Sequence, residues 1–297
     1  MIGKRTLLNL GMLVLAGGLV AVLVLEPGRA PEAPPAKLTE LDPKAIKQIR
    51  IDTPGIDGIS LERTAAGWRM TRPYAVPANA IKIESLLELT ATTSHARLPL
   101  PADHLDQFGL APPKASLWLD DTELAFGTTE PIDHRRYLRV GDTIHLIDDR
   151  YYQHLRTTPE GYVSLELLPG APALRAIHTP QWNLDRSDDG EWTPTPQQPG
   201  LSADTLLEKV DAWRRAQAIQ VSKLADGGTQ ATRIELFPEG ETEARVFMLR
   251  DAPDGPLLAR PDLGLEYHLP ESARARLLDT PTAAPEPAST PVDPTDA

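Results

Sequence analysis

The stretch Ala65–Pro73 reads AAGWRMTRP and runs directly into YAVPANAIKIESLLELTAT. A similar order of residues returns at Asp188 as DDGEWTPTPQQPGLSADTLLEKVDAW. When Trp68 is placed on Trp192, an offset of 124 residues, the apolar runs after the two tryptophans correspond, with Leu86 on Val210 and Leu89 on Trp213. Copies at this spacing are each about as long as one small domain. The sequence therefore predicts that one structural unit occurs twice.

The run after each tryptophan has the periodicity of an amphipathic helix. Its mainly apolar positions recur at intervals of three and four residues: Ile83, Leu86, Leu87 and Thr90 in the first copy, and Leu206, Val210 and Trp213 in the second. Helix-capping residues precede both runs, namely Asn79 in the first copy and Ser202 or Asp204 in the second. We expect a helix of about three to four turns in each copy.

Strand patterns flank both expected helices. Apolar and polar residues alternate in QIRIDT, ISLERT and GWRMTRP before the first helix, and in ALRAIHT, WNLDRS and GEWTPTP before the second. After the first helix, ASLWLDDTELAFG and RRYLRVGDTIHLIDD read as hairpins that turn at Asp120-Asp121 and Gly141-Asp142. The second copy has RIELFPEGETEARVFML and PLLARPDLGLEYHLPE in corresponding places. Such alternation predicts antiparallel strands with one buried face.

These elements predict an α+β fold in which antiparallel strands pack with one main helix in each copy. We place the first repeat at residues 46–157 and the second at residues 158–279. The side chains expected to anchor the cores of the repeats are Trp68, Leu86, Trp192 and Val210. A tryptophan between a strand and a proline is more often a packed core residue than part of a ligand site.

The N-terminal segment contains an uncharged run of 20 residues, Thr6–Leu25. At 1.5 Å per residue this run spans about 30 Å, the thickness of the hydrocarbon core of a bilayer. Lys4 and Arg5 precede it, and the positive-inside rule then places the N-terminus in the cytoplasm and the bulk of the chain outside. We expect residues 1–25 to be a cytoplasmic stub and an uncleaved single-pass transmembrane helix. A cleaved signal peptide is the alternative.

Two further segments have compositions that do not favour a packed core. Residues 26–45 begin with EPGRAPEAPPAK, which predicts a stiff, proline-rich linker. Residues 280–297 have no apolar periodicity and predict a disordered acidic tail. The folding part of the chain is therefore expected between these two segments.

The composition excludes several classes of function. The net charge of −12 disfavours nucleic acids and anionic lipid head groups as partners. The chain contains no cysteine, which excludes disulfides, thiolate metal sites and cysteine nucleophiles. It has no phosphate-binding loop and no G-x-S-x-G elbow, and its seven histidines show no metal-binding spacing. We expect neither a catalytic site nor a metal or other cofactor.

Two groups of charged residues are candidates for contact with a partner. Asp133, His134, Arg135 and Arg136 follow one another in TEPIDHRRYLRV, at an expected loop tip. The pair Arg214-Arg215 lies off the apolar face of the second expected helix. Because solvated charges ordinarily lie on loop tips and helix faces, plain surface residues are the alternative in both places.

The order of short motifs resembles that of a known bacterial family. The residues that carry the resemblance are Gly67-Trp68, Pro73, Ala78-Asn79, Phe108-Gly109-Leu110, Pro113, Gly127, Tyr137-Leu138 and Gly141. They look like those of the domain-of-unknown-function 4340 family (DUF4340), over about residues 46–278, although the second copy has no Phe-Gly-Leu motif. The resemblance implies a membrane helix, two repeats and an accessory role beside an ATP-binding-cassette (ABC) transporter of the gliding-motility type. It also implies the inner membrane and the periplasm, and it supplies no catalytic residues.

Three functions are compatible with these patterns. The first is a membrane-anchored accessory or scaffold protein that binds a protein partner, such as an ABC transporter permease. The second is a module that binds a small molecule or glycan between the two repeats. A cleft lined with aromatic residues would favour it, for instance around Tyr74, Trp118, Tyr137, Tyr151 and Tyr152. The third is an enzyme, which requires polar residues that converge in one pocket. The sequence favours the first.

Overall fold

The computed structural model describes residues 11–13, 15–18, 36–101, 103–225 and 231–282. Residues 11–13 and 15–18 are helical and exposed, and the rest of the predicted anchor Thr6–Leu25 lies outside the described residues. Residues 26–35 of the predicted linker and residues 283–297 of the predicted tail lie outside them as well. Across the described ranges, no helix is both long enough and apolar enough to cross a membrane.

The first half of the folded chain forms an antiparallel sheet of nine strands. A separate pair, β1 (Ala36–Lys37) with β6 (Thr93–Ser94), lies beside it. The nine strands are β2 (Gln48–Asp52), β3 (Ile59–Thr64), β4 (Gly67–Arg72), β5 (Val76–Pro77), β7 (Ala96–Pro99), β8 (Ala115–Leu119), β9 (Thr122–Thr129), β10 (Arg136–Val140) and β11 (Thr143–Ile147). Their order across the sheet is β5-β4-β3-β2-β8-β9-β10-β11-β7.

The second half forms an antiparallel sheet of eight strands. They are β12 (Leu174–His178), β13 (Asn183–Arg186), β14 (Trp192–Thr195), β15 (Gln220–Lys223), β16 (Thr232–Pro238), β17 (Arg245–Ala252), β18 (Gly255–Arg260) and β19 (Leu265–His268). Their order is β14-β13-β12-β16-β17-β18-β19-β15. This is the path of the first sheet, strand for strand, without a counterpart of β5.

The helices in the described residues are short. Apart from the helical residues 11–13 and 15–18, they are α1 (Ala80–Leu87), α2 (Tyr152–Leu155) and α3 (Ala203–Arg214), together with 3₁₀ turns at Glu88–Ala91, Leu105–Phe108, Asp149–Tyr151 and Pro159–Tyr162 and a π-helical turn at Arg274–Leu278. Asn79 caps α1 by accepting the Lys82 N–H at 3.2 Å, and Ser202 caps α3 by accepting the Thr205 N–H at 3.2 Å. The caps therefore align the two helices at an offset of 123 residues, one less than the offset of the tryptophans.

The predicted α+β class is wrong, because the folded part of the chain consists mainly of two large antiparallel sheets. The eight residues of α1 span about 12 Å, whereas nine strands side by side span about 40 Å. A helix of that length cannot form the layer that covers such a sheet. Instead α1 contacts β4, α3 contacts β12 and β14, and one continuous apolar cluster includes residues of both sheets. The predicted repeat boundaries remain a prediction.

One stretch of backbone joins the two sheets. Residues 159–168, here called the connecting segment, begin with the 3₁₀ turn Pro159–Tyr162 and bond to both halves of the fold. Two hydrogen bonds connect it to the first sheet: the Asn79 N–H donates to Tyr162 O (2.8 Å), and the Ser164 N–H donates to Pro77 O (2.9 Å). Two others connect it to the second sheet: the Leu167 N–H donates to Ala216 O (3.0 Å), and the Ala218 N–H donates to Leu165 O (2.8 Å). The connecting segment therefore pairs with β5 and with the residues that lead into β15.

Tyr162 anchors this segment, and its truncation tests how strongly the two sheets are coupled. Its side chain is fully buried and its hydroxyl donates to His154 O at 2.7 Å. We expect Tyr162→Ala to lower the free energy of unfolding by about 3–5 kcal/mol, because it leaves a cavity in a core that both sheets share. Tyr162→Phe, which loses only the hydroxyl, should cost about 1 kcal/mol.

Urea unfolding followed by tryptophan fluorescence measures both effects. We expect a single transition that moves to lower urea as a unit in the alanine variant. Two separate transitions in the wild-type protein would show that the sheets unfold independently and that the shared core does not couple them.

Candidate functional site

A cavity of about 750 Å³ lies beside β14, at the edge of the second sheet. Three parts of the chain enclose it: the start of β14, the loop 196–202 and the first turns of α3. Its lining residues are Gly190, Glu191, Trp192, Pro194, Gln197, Gln198, Pro199, Leu201, Ala203, Leu206 and Leu207. Glu191 is the one ionisable side chain among them, so the surface of the cavity is mainly apolar with an amide and carboxylate rim.

The equivalent place in the first half of the fold is filled by the chain itself. The loop 73–79 has the same length as the loop 196–202, and within it Val76–Pro77 pair with β4 as strand β5. Met70 lies opposite Val76, and the Ala78 N–H donates to Trp68 O at 2.8 Å. Val76 is buried in the apolar core. In the first sheet, the outer edge of β4 is thus covered by a strand from the loop that follows it.

Prolines explain why the second loop does not do the same. Pro194 takes the place in β14 that Met70 takes in β4, and a proline has no N–H to donate to a neighbouring strand. Pro199, in the loop position of Val76, also lacks an N–H. Without these donors the loop 196–202 forms bends and a turn instead of a strand. The space that β5 fills in the first half is therefore left open.

The outer edge of β14 presents free backbone groups. In the turn before it, the Ser187 N–H donates to Glu191 O at 2.8 Å, which makes this a hydrogen-bonded pair. Antiparallel pairs alternate between bonded and non-bonded, so the next pair, Arg186 with Trp192, is non-bonded. The N–H and C=O of Trp192 and the C=O of Pro194 consequently point away from β13 and toward the cavity.

The predicted charged cluster is divided between the surface and the interior. Asp133 and His134 are exposed, and Arg135 is half-buried with its guanidinium 3.7 Å from the Asp133 carboxylate. The buried Glu130 carboxylate organises this turn by accepting the Asp133 N–H at 2.6 Å. Arg136 turns inward, so the exposed part of the cluster is limited to the other three residues.

Arg136 holds strands together from within the first sheet. Its guanidinium bonds to the Asp149 carboxylate, with Nη2–Oδ2 at 3.1 Å, and to Thr129 Oγ1 at 3.2 Å. It also donates to the Gly127 carbonyl and stacks 3.7 Å from the ring centroid of Tyr152. All of these partners lie in the first half of the fold, and the contacts make Arg136 a structural residue.

The second predicted pair is also divided. Arg214 is half-buried and donates to Pro172 O at 3.0 Å and to Ala171 O at 3.0 Å, so it fixes the end of α3 to the chain that leads into β12. Arg215 is exposed, 3.5 Å from an oxygen of Asp211. Of the two, Arg215 is the side chain that a partner can reach.

The residues expected to anchor the cores occupy different depths. Leu86 and Val210 are buried, whereas Trp68 and Trp192 are half-buried and pack against the edge of the apolar cluster. Trp68 borders a smaller cavity of about 300 Å³ beside α1, and Trp192 lines the open cavity. At the shorter helix offset, Lys209 takes the place of Leu86, and it is nearly as buried.

Several residues that carry the sequence motifs meet in one small cluster of the first sheet. Phe108 packs edge-on against Tyr137 with ring centroids 4.9 Å apart, and Leu110 belongs to the same buried group. Gly127 lies against the Phe108 carbonyl so closely that a Cβ there would be 2.1 Å from that oxygen. The motif is therefore a packing unit that fixes the loop before β8 to β9.

A family model described as Domain of unknown function (DUF4340) matches residues 68–233. This is more than half of the 297 residues. The chain belongs to the DUF4340 family. The matched region includes the motif cluster, the connecting segment and the open cavity with its loop 196–202. No curated protein and no solved structure matches the chain.

A second cavity, of about 260 Å³, lies at the junction of the two halves. Arg69, Arg245 and Arg260 line it. Arg245 pairs with Glu241 at 2.5 Å and Arg260 with Asp262 at 2.7 Å, and these bonds lower the pKa of both carboxyls. Two of the three positive charges are therefore already neutralised within the protein.

The histidines do not assemble into a metal site. His145 is buried, and burial together with Arg97 lowers its pKa. His268 has its Nε2 2.7 Å from Ser222 Oγ, and burial lowers its pKa. Within the part of the chain that the structure describes, no group of three or more His, Cys, Asp or Glu side chains is arranged to hold a metal ion.

Gly127 offers a direct test of the motif cluster. Gly127→Ala forces a methyl group onto the Phe108 carbonyl, and we expect it to lower the free energy of unfolding by about 2–3 kcal/mol. The control is Gly141→Ala in the β10–β11 turn, where φ is +54° and the space is open. There only backbone strain applies, at about 1 kcal/mol. Equal costs in urea unfolding at the two positions would contradict the packing role of Gly127.

Lys209 predicts a specific pH dependence of stability. Its Nζ donates to Ala275 O at 3.1 Å and lies 5.4 Å from the Trp182 ring, and burial lowers its pKa to about 8 from 10.5. Because the folded state disfavours the protonated lysine, the cost is full below about pH 8 and disappears as pH rises toward 10.5. We expect the free energy of unfolding, relative to that of Lys209→Met, to rise by about 1–2 kcal/mol between about pH 7 and pH 9.5.

Urea titrations at the two pH values measure this difference. The exposed Lys44 provides the control, since Lys44→Met should keep the pH dependence of the wild-type protein. A Lys209→Met variant with the same pH slope as the wild type would contradict the assignment.

Proposed function

We propose that this chain is a single-pass, membrane-anchored extracytoplasmic protein that binds another protein, as an accessory or scaffold subunit in or near an ABC-type transport complex. The observation that carries the proposal is the unequal closure of the two sheets. One edge is covered by the chain's own β5, and the equivalent edge at β14 opens onto a cavity of about 750 Å³. Exposed strand edges beside apolar grooves are places where proteins add an extended segment of a partner.

The lining of this cavity favours a binding role over catalysis. A catalytic pocket needs several ionisable side chains that converge on one point. Glu191 is the one such side chain among the lining residues. The exposed Leu207, at 50% of its full accessibility, adds apolar surface at the mouth.

The alternative of a small-molecule or glycan site between the two halves receives less support. The junction cavity of about 260 Å³ is smaller than usual ligand pockets, which span about 300–1,000 Å³. The aromatic residues that would favour such a site are dispersed. Tyr74 bonds to Glu160, Trp118 stacks under Arg50, and Tyr137 packs on Phe108.

The proposed location rests on the sequence of the N-terminal segment. The uncharged run Thr6–Leu25 after Lys4 and Arg5 supports a helix across the bacterial inner membrane, with the N-terminus in the cytoplasm and both sheets in the periplasm. Membership of the DUF4340 family is consistent with a partner such as an ABC permease. The net charge of −12 argues against nucleic acid as the partner.

Affinity purification from detergent-solubilised membranes tests the proposal. We expect the full-length protein to recover an ABC permease or another membrane protein in stoichiometric amounts, identified by mass spectrometry. A variant without residues 1–25, added as purified bait, separates contacts of the sheets from contacts of the anchor. If neither bait recovers a specific protein, the proposed scaffold role fails.

A further inference from the structure

The two sheets follow the same path, but the second has one strand fewer, and the missing strand is the one that would lie on β14. We propose that the groove between β14 and the loop 196–202 binds an extended segment of a partner protein, which becomes the ninth strand of the second sheet. This inference rests on the proposed function and adds the site and the chemistry of the bound segment.

The first half of the fold shows how such a segment is seated. Val76 and Pro77 lie opposite Met70 and Arg69 in antiparallel register, and the Ala78 N–H donates to Trp68 O at 2.8 Å. Trp192 corresponds to Trp68, and its C=O points into the open groove. A partner segment in the same register donates an N–H to Trp192 O and places an apolar side chain where Val76 lies in the first half.

The backbone of the groove favours a bound segment whose N–H groups can donate hydrogen bonds. The outer edge of β14 offers two acceptors, the carbonyls of Trp192 and Pro194, and one donor, the Trp192 N–H. The bound segment therefore needs N–H groups that face both carbonyls. Its own carbonyl opposite Pro194 receives no hydrogen bond, because proline has no N–H, and the affinity lost there is small. An extended stretch with an isolated proline meets this requirement, whereas a continuous polyproline segment does not.

The side chains of the groove select for an apolar residue with basic flanks. Leu201, Leu206 and Leu207 form the apolar wall, and no lysine or arginine lines the cavity. The charge near the groove is acidic: Glu191 is in the lining, and Asp188, Asp189, Asp204 and Glu208 are neighbours of lining residues along the chain. Complementary charge favours lysine or arginine beside the apolar anchor.

The edges at the junction of the two halves are less suitable. The connecting segment covers β5 through the Ser164–Pro77 bond, and it pairs with the residues before β15 through the bridge between Glu166 and Gln217. A partner strand would have to displace backbone that is already bonded there. At β14, which ends the order of the second sheet, no strand pairing within the described residues has to be broken.

The chain's own β5 sequence supplies a probe. The peptide KKYAVPAN copies the residues of the first loop around Val76–Pro77 behind two lysines. With fluorescein-labelled peptide and full-length protein in detergent micelles, we expect anisotropy to show binding with a dissociation constant on the order of 100 µM or tighter. The same peptide with aspartate in place of valine should bind at least about tenfold more weakly.

Two variants locate the binding. Leu207→Lys puts a positive charge at the mouth of the groove and should weaken binding at least about tenfold. The matched control, Ile81→Lys, changes an even more exposed apolar residue on α1, beside the edge that β5 already covers, and should bind like the wild type. Both positions are exposed, and circular dichroism checks that both variants fold.

Cross-linking gives a second readout. Because the chain has no cysteine, Gln198→Cys places a single thiol at the groove, and Gln217→Cys places one beside α1 and the connecting segment. A peptide whose C-terminal cysteine is activated as a mixed disulfide with 2-thiopyridine should exchange with the thiol of the first variant, releasing pyridine-2-thione, at least about tenfold faster than with that of the second. Equal rates would overturn the inference.

The other outcomes are equally decisive. Absence of peptide binding up to about 1 mM, or equal binding by Leu207→Lys and the wild type, overturns the inference. If deletion of residues 283–297 raises peptide affinity at least about tenfold, the tail is the occupant. If sedimentation shows a dimer that Leu207→Lys dissociates, a second copy of this chain is the occupant.

The affinity purification separates this inference from the proposed function. Recovery of the same membrane protein by wild type and Leu207→Lys would reject this groove as the binding site and leave the scaffold role standing. Recovery of no membrane protein by either would reject the scaffold role itself.

Discussion

Every strand at the edge of a sheet carries backbone N–H and C=O groups that need hydrogen-bond partners. In this protein, the segments that supply those partners determine how the two sheets are arranged. The first sheet ends on β5, which the connecting segment covers, and the same segment bonds to the chain leading into β15. The two sheets are thus linked edge to edge through backbone hydrogen bonds. Tyr162 and the shared apolar cluster hold that link in place.

The local features of the fold could be read from the sequence because short-range chemistry determines them. Asp120-Asp121 and Gly141-Asp142 mark the turns of the β8–β9 and β10–β11 hairpins, and Asn79 and Ser202 cap the helices. The fold class was predicted wrongly because the number of strands in a sheet depends on pairings between distant segments. The apolar periodicity predicts the helix α1, but it does not show how small a part of the sheet an eight-residue helix covers.

The candidate site could be predicted only in part for a similar reason. The dense run of charges at Asp133–Arg136 predicts a contact surface for a partner. The alternation of side chains along β10, however, places Arg136 in the interior. The open groove was missed although its signal was present in the sequence. Pro194 interrupts an alternating strand, which marks an edge strand, and it stands where the first copy has Met70. The open edge itself depends on how the two loops of equal length pair in three dimensions, which the order of residues alone does not specify.

The closed edge of the first sheet and the open edge of the second differ in what their loops may become over evolutionary time. The loop 73–79 completes a sheet, so changes to the buried Val76 cost stability. The loop 196–202 contributes no strand pairing, so its sequence can drift while the scaffold stays intact. The two copies of one architecture thus differ at this edge: strand pairing holds the loop 73–79 in place, whereas the loop 196–202 can change in sequence without the loss of a strand.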